Sequence, residues 1–266
     1  MPEIREEYGY VEGTYAALYR PSAAPAGTAV IVPTVGDERR SLVRVEVELS
    51  RRIAAEGFLA IRFDFSGDGS STRLRTMENC MADLAAVWKL VQGKAAAVTF
   101  RAGLCLFGRF MGERRVQADI FAIGPASGAE FMREASRRAS LRSMMTEGIA
   151  GSAVAVQGRD LGGDVYPQGF EEEMSRPLAL SGLNGRFLGV DIGPQKSPRK
   201  DAADVAGVFL QGGMKPAKVV QNTPDLIEGN VPGIVNWRHP VIWGEVEHSG
   251  VRPLERMLLD FLCGKE

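Results

Sequence analysis

The stretch from Ala95 to Gly108, AAAVTFRAGLCLFG, constrains this 266-residue chain more than any other. An apolar run without amphipathic alternation suits a strand covered on both faces of a parallel sheet, and the glycines that follow mark a sharp backbone bend into a helix. The segment therefore reads as strand, tight turn, helix. Gly103-Leu104-Cys105-Leu106-Phe107 matches part of the pattern Gly-x-nucleophile-x-Gly, in which small residues let a strained turn present a reactive side chain. The first glycine and a thiol are present, and Phe107 stands where the second glycine belongs. Cys105 also has a purely structural reading, because free cysteine is among the most buried residue types and reacts only where its pKa is lowered.

Composition narrows the class. Hydrophobic residues make up 45% of the chain, enough for a sizeable core in one large α/β domain or two small ones, of which the alternation of strands and helices favours one domain spanning 1–266. Lys+Arg 32 against Asp+Glu 33, a net charge of -1, leaves no basic surplus for a nucleic acid backbone. The opening MPEIREEYGYVEG carries acidic residues where a signal peptide would be basic, and no run approaches the ~18 apolar residues of a membrane span. A cytoplasmic protein is the expectation. Cys80, Cys105 and Cys263 are too far apart for a paired motif, and with only 2 histidines neither a disulfide framework, a metal site nor a cofactor is expected.

In chain order, Tyr8 to Tyr19 reads as an edge strand pair. Thr28 to Pro33 reads as a short β-branched strand ending in the loop Pro33-Thr34-Val35-Gly36. From Ser41, Leu42, Val45, Leu49 and Ile53 follow helical spacing until Gly57. Phe58 to Phe63 is a further strand, with RFDFSGDGSS as its glycine-rich exit. Met77, Met81, Leu84, Trp88 and Val91 share a helix face, and Asp119 to Gly124 reads as a strand. Between Glu130 and Lys200 the strand-helix rhythm lapses, in the place of a lid. Ala206 to Leu210 and His239 to Trp243 read as the seventh and eighth strands, and Leu254, Met257, Leu258, Phe261 and Leu262 as one face of a closing helix.

This order, with RFDFSGDGSS after the fourth strand, resembles the α/β-hydrolase superfamily. Through RFDFSGDGSS, GPASGAEFMREA and YPQGFEEEMSRPLAL the chain is similar, more narrowly, to bacterial hydrolases associated with exosortase systems, relatives of the serine aminopeptidase and lysophospholipase-like group. The resemblance implies a mostly parallel central sheet with helices on both faces and a lid insertion at 130–200. It also implies that the turn holding Ser66, Ser70 and Ser71 is structural. Its elbow serine corresponds to Cys105 here, and its histidine, on the loop before the final helix, to His248. The acid is harder to place, since Gly213-Met214-Lys215-Pro216 follows Gly212 where an Asp is usual, which leaves Asp225 as the nearest carboxylate downstream.

The chemistry implied is acyl transfer from an ester or thioester of a small molecule, with no cofactor and with self-association left open. Cys105 would attack the carbonyl, backbone N–H groups of Leu106 and of Thr34, Val35 and Gly36 would hold the oxyanion, and His248 would act as base. The second reading is a catalytically degenerate hydrolase-fold protein kept as a binding or assembly partner. The replaced serine, Phe107 and the missing Asp favour it, and a fold cannot decide between the two.

Overall fold

The computed structural model describes residues 3–146, 159–160, 165–167, 169–193, 197–219, 226–228, 231–238 and 252–265. Strands β1 (Ile4–Val11) and β2 (Thr14–Pro21) form an antiparallel hairpin whose turn, Glu12-Gly13, takes positive φ at both residues, the geometry that matches strand twist in two-residue hairpins. Then follow β3 (Gly27–Val32), α1 (Asp37–Ala55), β4 (Leu59–Phe63), α2 (Met77–Trp88), β5 (Lys94–Phe100), α3 (Gly103–Arg114), β6 (Asp119–Ile123) and α4 (Gly128–Thr146). Beyond these lie the short pair β7 (Arg159–Asp160) and β8 (Val165–Tyr166), α5 (Phe170–Ser175), β9 (Arg186–Gly193) and α6 (Lys200–Gln211). Strands β10 (Lys215–Pro216), β11 (Leu226–Glu228) and β12 (Ile234–Arg238) lead to α7 (Arg252–Leu262).

Ten strands join in one sheet, along the order β1-β2-β4-β3-β5-β6-β9-β12-β11 with β10 beside β9. From β4 to β12 along that order the neighbours are parallel, and among the described residues of this sheet the antiparallel pairs are β1–β2, β2–β4 and β11–β12. The expected α/β-hydrolase-like sheet is therefore present. Strands β3, β4 and β6 are buried at every residue, as continuous apolar runs require when helices cover both faces. One apolar layer holds α2, α3 and α6, and the other holds α1 and α7. Among the described residues no helix is long and apolar enough to cross a membrane.

Two readings from sequence are corrected. Ala206 to Leu210 is not a strand but part of α6, because Ala202, Val205, Ala206 and Phe209 are buried at helical spacing. The seventh place along the sheet belongs to β9, inside the stretch 130–200 expected as a lid, so a core strand interrupts that stretch. Gly189 and Asp191 break its apolar run and hid it. His239 to Trp243 lies outside the described residues, immediately after β12.

Beneath the loops that leave β3 and β4 lies a buried ionic cluster. Arg39 Nη2 sits 2.7 Å from Asp64 Oδ1 and 3.2 Å from Glu46 Oε2, and Arg62 Nη1 is 3.5 Å from Asp64 and 3.8 Å from Glu46. Asp64 also accepts the Ser70 N–H at 2.9 Å, and a Cβ on Gly69, at φ 50, would lie 2.2 Å from its Oδ2. The RFDFSGDGSS turn thus folds around a carboxylate, which makes it structural.

Burial pushes the Glu46 carboxyl from 4.5 up to about 7, although Arg39 and Arg62 pull the other way. A folded-state value above the unfolded one means that the native protein holds an extra proton between those two pH values, so stability falls as pH rises from 4.5 towards 7 and levels off above. We expect Glu46→Gln to flatten that fall, by at most about 3 kcal/mol at about 1.4 kcal/mol per pH unit. Urea unfolding across pH 4.5–8 measures it, and parallel curves for both proteins would contradict it.

Candidate active site

The carboxyl ends of β3, β5, β6 and β9 gather their loops at one edge of the sheet, where open α/β sheets hold their ligands. Phe100, Ile123 and Val190 are in register, so Arg101, Gly124 and Asp191 form the next row. Arg101 is the residue that bends. Its φ is 48, a left-handed value uncommon for a side chain of this size, at the junction of β5 and α3. Two residues on, a Cβ at Gly103 would lie 2.3 Å from the Pro33 carbonyl oxygen and 2.7 Å from that of Val32. Gly103 is therefore the glycine that lets the helix press against the neighbouring strand, the closing glycine of the elbow motif.

The elbow is Thr99-Phe100-Arg101-Ala102-Gly103, four residues earlier than the sequence reading placed it. At the bend itself stands Arg101. Its guanidinium, 2% exposed, pairs with Glu38 from the first turn of α1, with Nε and Nη2 each 3.4 Å from a carboxylate oxygen, and with Glu134 of α4. Burial opposes its charge, but Glu38 and Glu134 outweigh that and raise its pKa further. Arg138 donates to Glu38 at 2.6 Å, and Arg199 lies 3.5 Å from Glu134 and 2.9 Å from the buried Asp191. Charges from α1, β5, α4, β9 and the approach to α6 thus interlock across the mouth.

Cys105 lies inside the first turn of α3, not at the bend. Its Sγ donates to the Ala126 carbonyl oxygen at 3.1 Å, and burial pushes the thiol from 9 up to about 12, more than the nearby Arg109 can offset. A thiol so placed is the opposite of an activated one. The Leu106 N–H is spent on the Ala102 carbonyl at 3.2 Å, and the Gly36 N–H donates to Asp68 at 3.1 Å. Neither is offered to an oxyanion. Thr34 and Val35 are fully buried, with Thr34 Oγ1 3.5 Å from Glu38 Oε2. His248 and Asp225 lie outside the described residues. Among the described residues no group of three or more His, Cys, Asp or Glu could hold a metal ion.

Sequence reasoning missed Arg101, Glu38, Glu134, Arg138, Arg199 and Asp191. A signal for the first was available, because the apolar run stops at Phe100 and a lone Arg precedes the small pair Ala102-Gly103.

No protein-family model matches the chain, and no curated protein matches it in sequence. Solved structures do match in shape. A thermostable carboxyl esterase from Bacillus coagulans superposes with a TM-score of 0.61 at 11% identity, over 99% of each chain. A carboxylesterase from Bacillus subtilis gives 0.55 at 14%, over 98% of this chain and 92% of that one. The mouse α/β hydrolase domain-containing protein 10 gives 0.54 at 13%, over 99% and 100%. At these identities the likeness shows the fold, the α/β-hydrolase fold.

If the Arg101 pairs hold the mouth together, Arg101→Ala should destabilise the protein by about 3 kcal/mol, because it leaves the Glu38 carboxylate short of a buried partner. Chemical denaturation of the wild type, Arg101→Ala, Glu38→Gln and the double variant gives the coupling. A double variant as destabilised as the two singles summed would dismiss it.

Proposed function

We propose that this chain is a hydrolase-fold protein that forms no acyl-enzyme and acts as a binding or assembly partner. One observation carries the reading: the strained elbow position holds Arg101, locked between Glu38 and Glu134, where covalent acyl transfer needs a nucleophile. The spent Gly36 and Leu106 N–H groups count against an acyl-enzyme at Cys105, whose oxyanion would need them free. The three cysteines are unpaired, which supports a cytoplasmic setting for the same reading. The narrower likeness to exosortase-associated hydrolases belongs to this proposal and rests on the quoted motifs alone. So does an access-shaping role for the parts of 130–200 outside β9.

A second reading is favoured by the neighbours, several of which are described as esterases. In it the chain hydrolyses a small acyl ester or thioester with Cys105, His248 and Asp225, and Cys105 must first be brought out of the core.

Acyl p-nitrophenyl esters and an acyl thioester, offered to the folded protein across pH 6–10, separate the two. We expect no turnover above buffer and no adduct with an acyl-directed active-site probe. Turnover rising with pH and abolished in Cys105→Ala would establish the second reading instead. Turnover that survives Cys105→Ala would exclude both.

A further inference from the structure

Cys105, Gly108, Arg109 and Gly112 share one face of α3, being three and four residues apart. The chain from α5 to Leu180 runs along that face. A Cβ on Gly108 would lie 3.0 Å from Leu178 Cδ1, and one on Gly112 3.5 Å from Leu180 Cδ2. Phe170 and Met174 of α5 are 2% and 1% exposed, packed in the same apolar layer as Cys105. At the other side α4 begins so close that a Cβ on Gly128 would lie 1.8 Å from the Met174 carbonyl oxygen.

One side chain ties these contacts together. Arg109 Nη2 lies 2.6 Å from the Glu173 carbonyl oxygen and 2.5 Å from that of Arg176, and it also reaches Met174 at 3.4 Å. These carbonyls belong to the last turn of α5 and its cap, where that of Glu173 also accepts the Arg176 N–H at 3.3 Å, and a cation there also suits the dipole. A short helix held by its own hydrogen bonds alone would be marginal.

We propose that residues 170–180 form a strap along α3, latched by Arg109, and that release of this latch opens the Cys105 face of α3 to solvent without unfolding the protein. The proposal stands on packing and holds under either reading of the site. The latch is a guanidinium on backbone carbonyls, so it is independent of the sequence of the strap's acidic outer side. Local opening of this kind is set by the few contacts that fasten the segment.

Native-state alkylation with iodoacetamide, followed by peptide mapping, reads the strap through the three thiols. Cys263 is exposed and reports reagent activity, while Cys80 is buried on the inner face of α2 and reports global unfolding. In the wild type Cys263 should label and Cys105 and Cys80 should not. In Arg109→Ala the Cys105 rate should rise at least about tenfold, the worth of one charge-assisted hydrogen bond, with Cys80 still protected. Arg109→Lys, which keeps one donor group, should fall between. Wild-type Cys105 labelling as fast as Cys263, an unchanged Cys105 rate in Arg109→Ala, or Cys105 and Cys80 rising together would each overturn the latch. Should Arg109→Ala fail to fold, amide exchange on the wild type decides: the peptide covering 170–176 must be protected like α3, and fast exchange there would refute the strap.

Discussion

Everything at the carboxyl edge of the sheet depends on a guanidinium held at a strained turn. Arg101 carries a full charge into a place that is 2% exposed, in a backbone conformation that costs of order 1–3 kcal/mol. Such a residue persists only when its surroundings over-determine it. Glu38 reaches it from α1 and Glu134 from α4, so the turn after β5 is fixed from both sides. Each carboxylate is shared with another arginine, Arg138 or Arg199, and Arg199 passes the chain of charge on to Asp191 at the end of β9. Removal of any member leaves another buried charge short of a partner, which is why such a network fixes one arrangement even where its net contribution to stability is small.

A second tier of buried charge lies below. Asp68 accepts the Gly36 N–H at the start of α1 and receives Arg75 at 2.6 Å, while Arg75 stacks 4.8 Å over the Tyr166 ring. The loop after β3, which could have offered N–H groups to a ligand, is thus turned inward and spent on the protein's own carboxylate. The α1 terminus still obeys helix electrostatics, with Asp37 and Glu38 in its first turn. In this chain those rules serve internal closure.

Most of the fold was legible because its signals are local. Continuous apolar runs announced β3, β4, β5 and β6, and the spacing of Leu42, Val45, Leu49 and Ile53 announced α1, though the helix starts four residues before Ser41, at Asp37. The failures have physical causes. In Ala206 to Leu210 a short apolar run fits strand and helix equally, and only Ala202 and Val205 upstream reveal the helical face. At the bend, the sequence pattern offers Gly103 as the opening glycine with Cys105 at the turn, whereas the backbone bends at Arg101 and Gly103 closes against the end of β3. Nothing local distinguishes the two, because the deciding fact is the close approach of Gly103 to the Pro33 carbonyl, a contact with a strand some 70 residues earlier. The ion pairs of Arg101 were illegible for the same reason: Glu38 and Glu134 come from 63 and 33 residues away.

That contact also explains why the backbone bends at Arg101. The bend at Arg101 is set by the need to bring the start of α3 against β3, which Gly103 permits and the burial of Leu104, Leu106 and Phe107 rewards. Packing alone therefore demands a left-handed residue at position 101, whatever side chain it bears. A serine there would meet the positive end of α3 as a neutral group. An arginine meets it as a like charge, beside N–H groups that favour anions. The only stable solution is to bring carboxylates to the spot. Glu38 and Glu134 do so, each pairing with Arg101. The strained bend and the ion pairs are then one physical solution, since the guanidinium at position 101 requires the carboxylates that reach it.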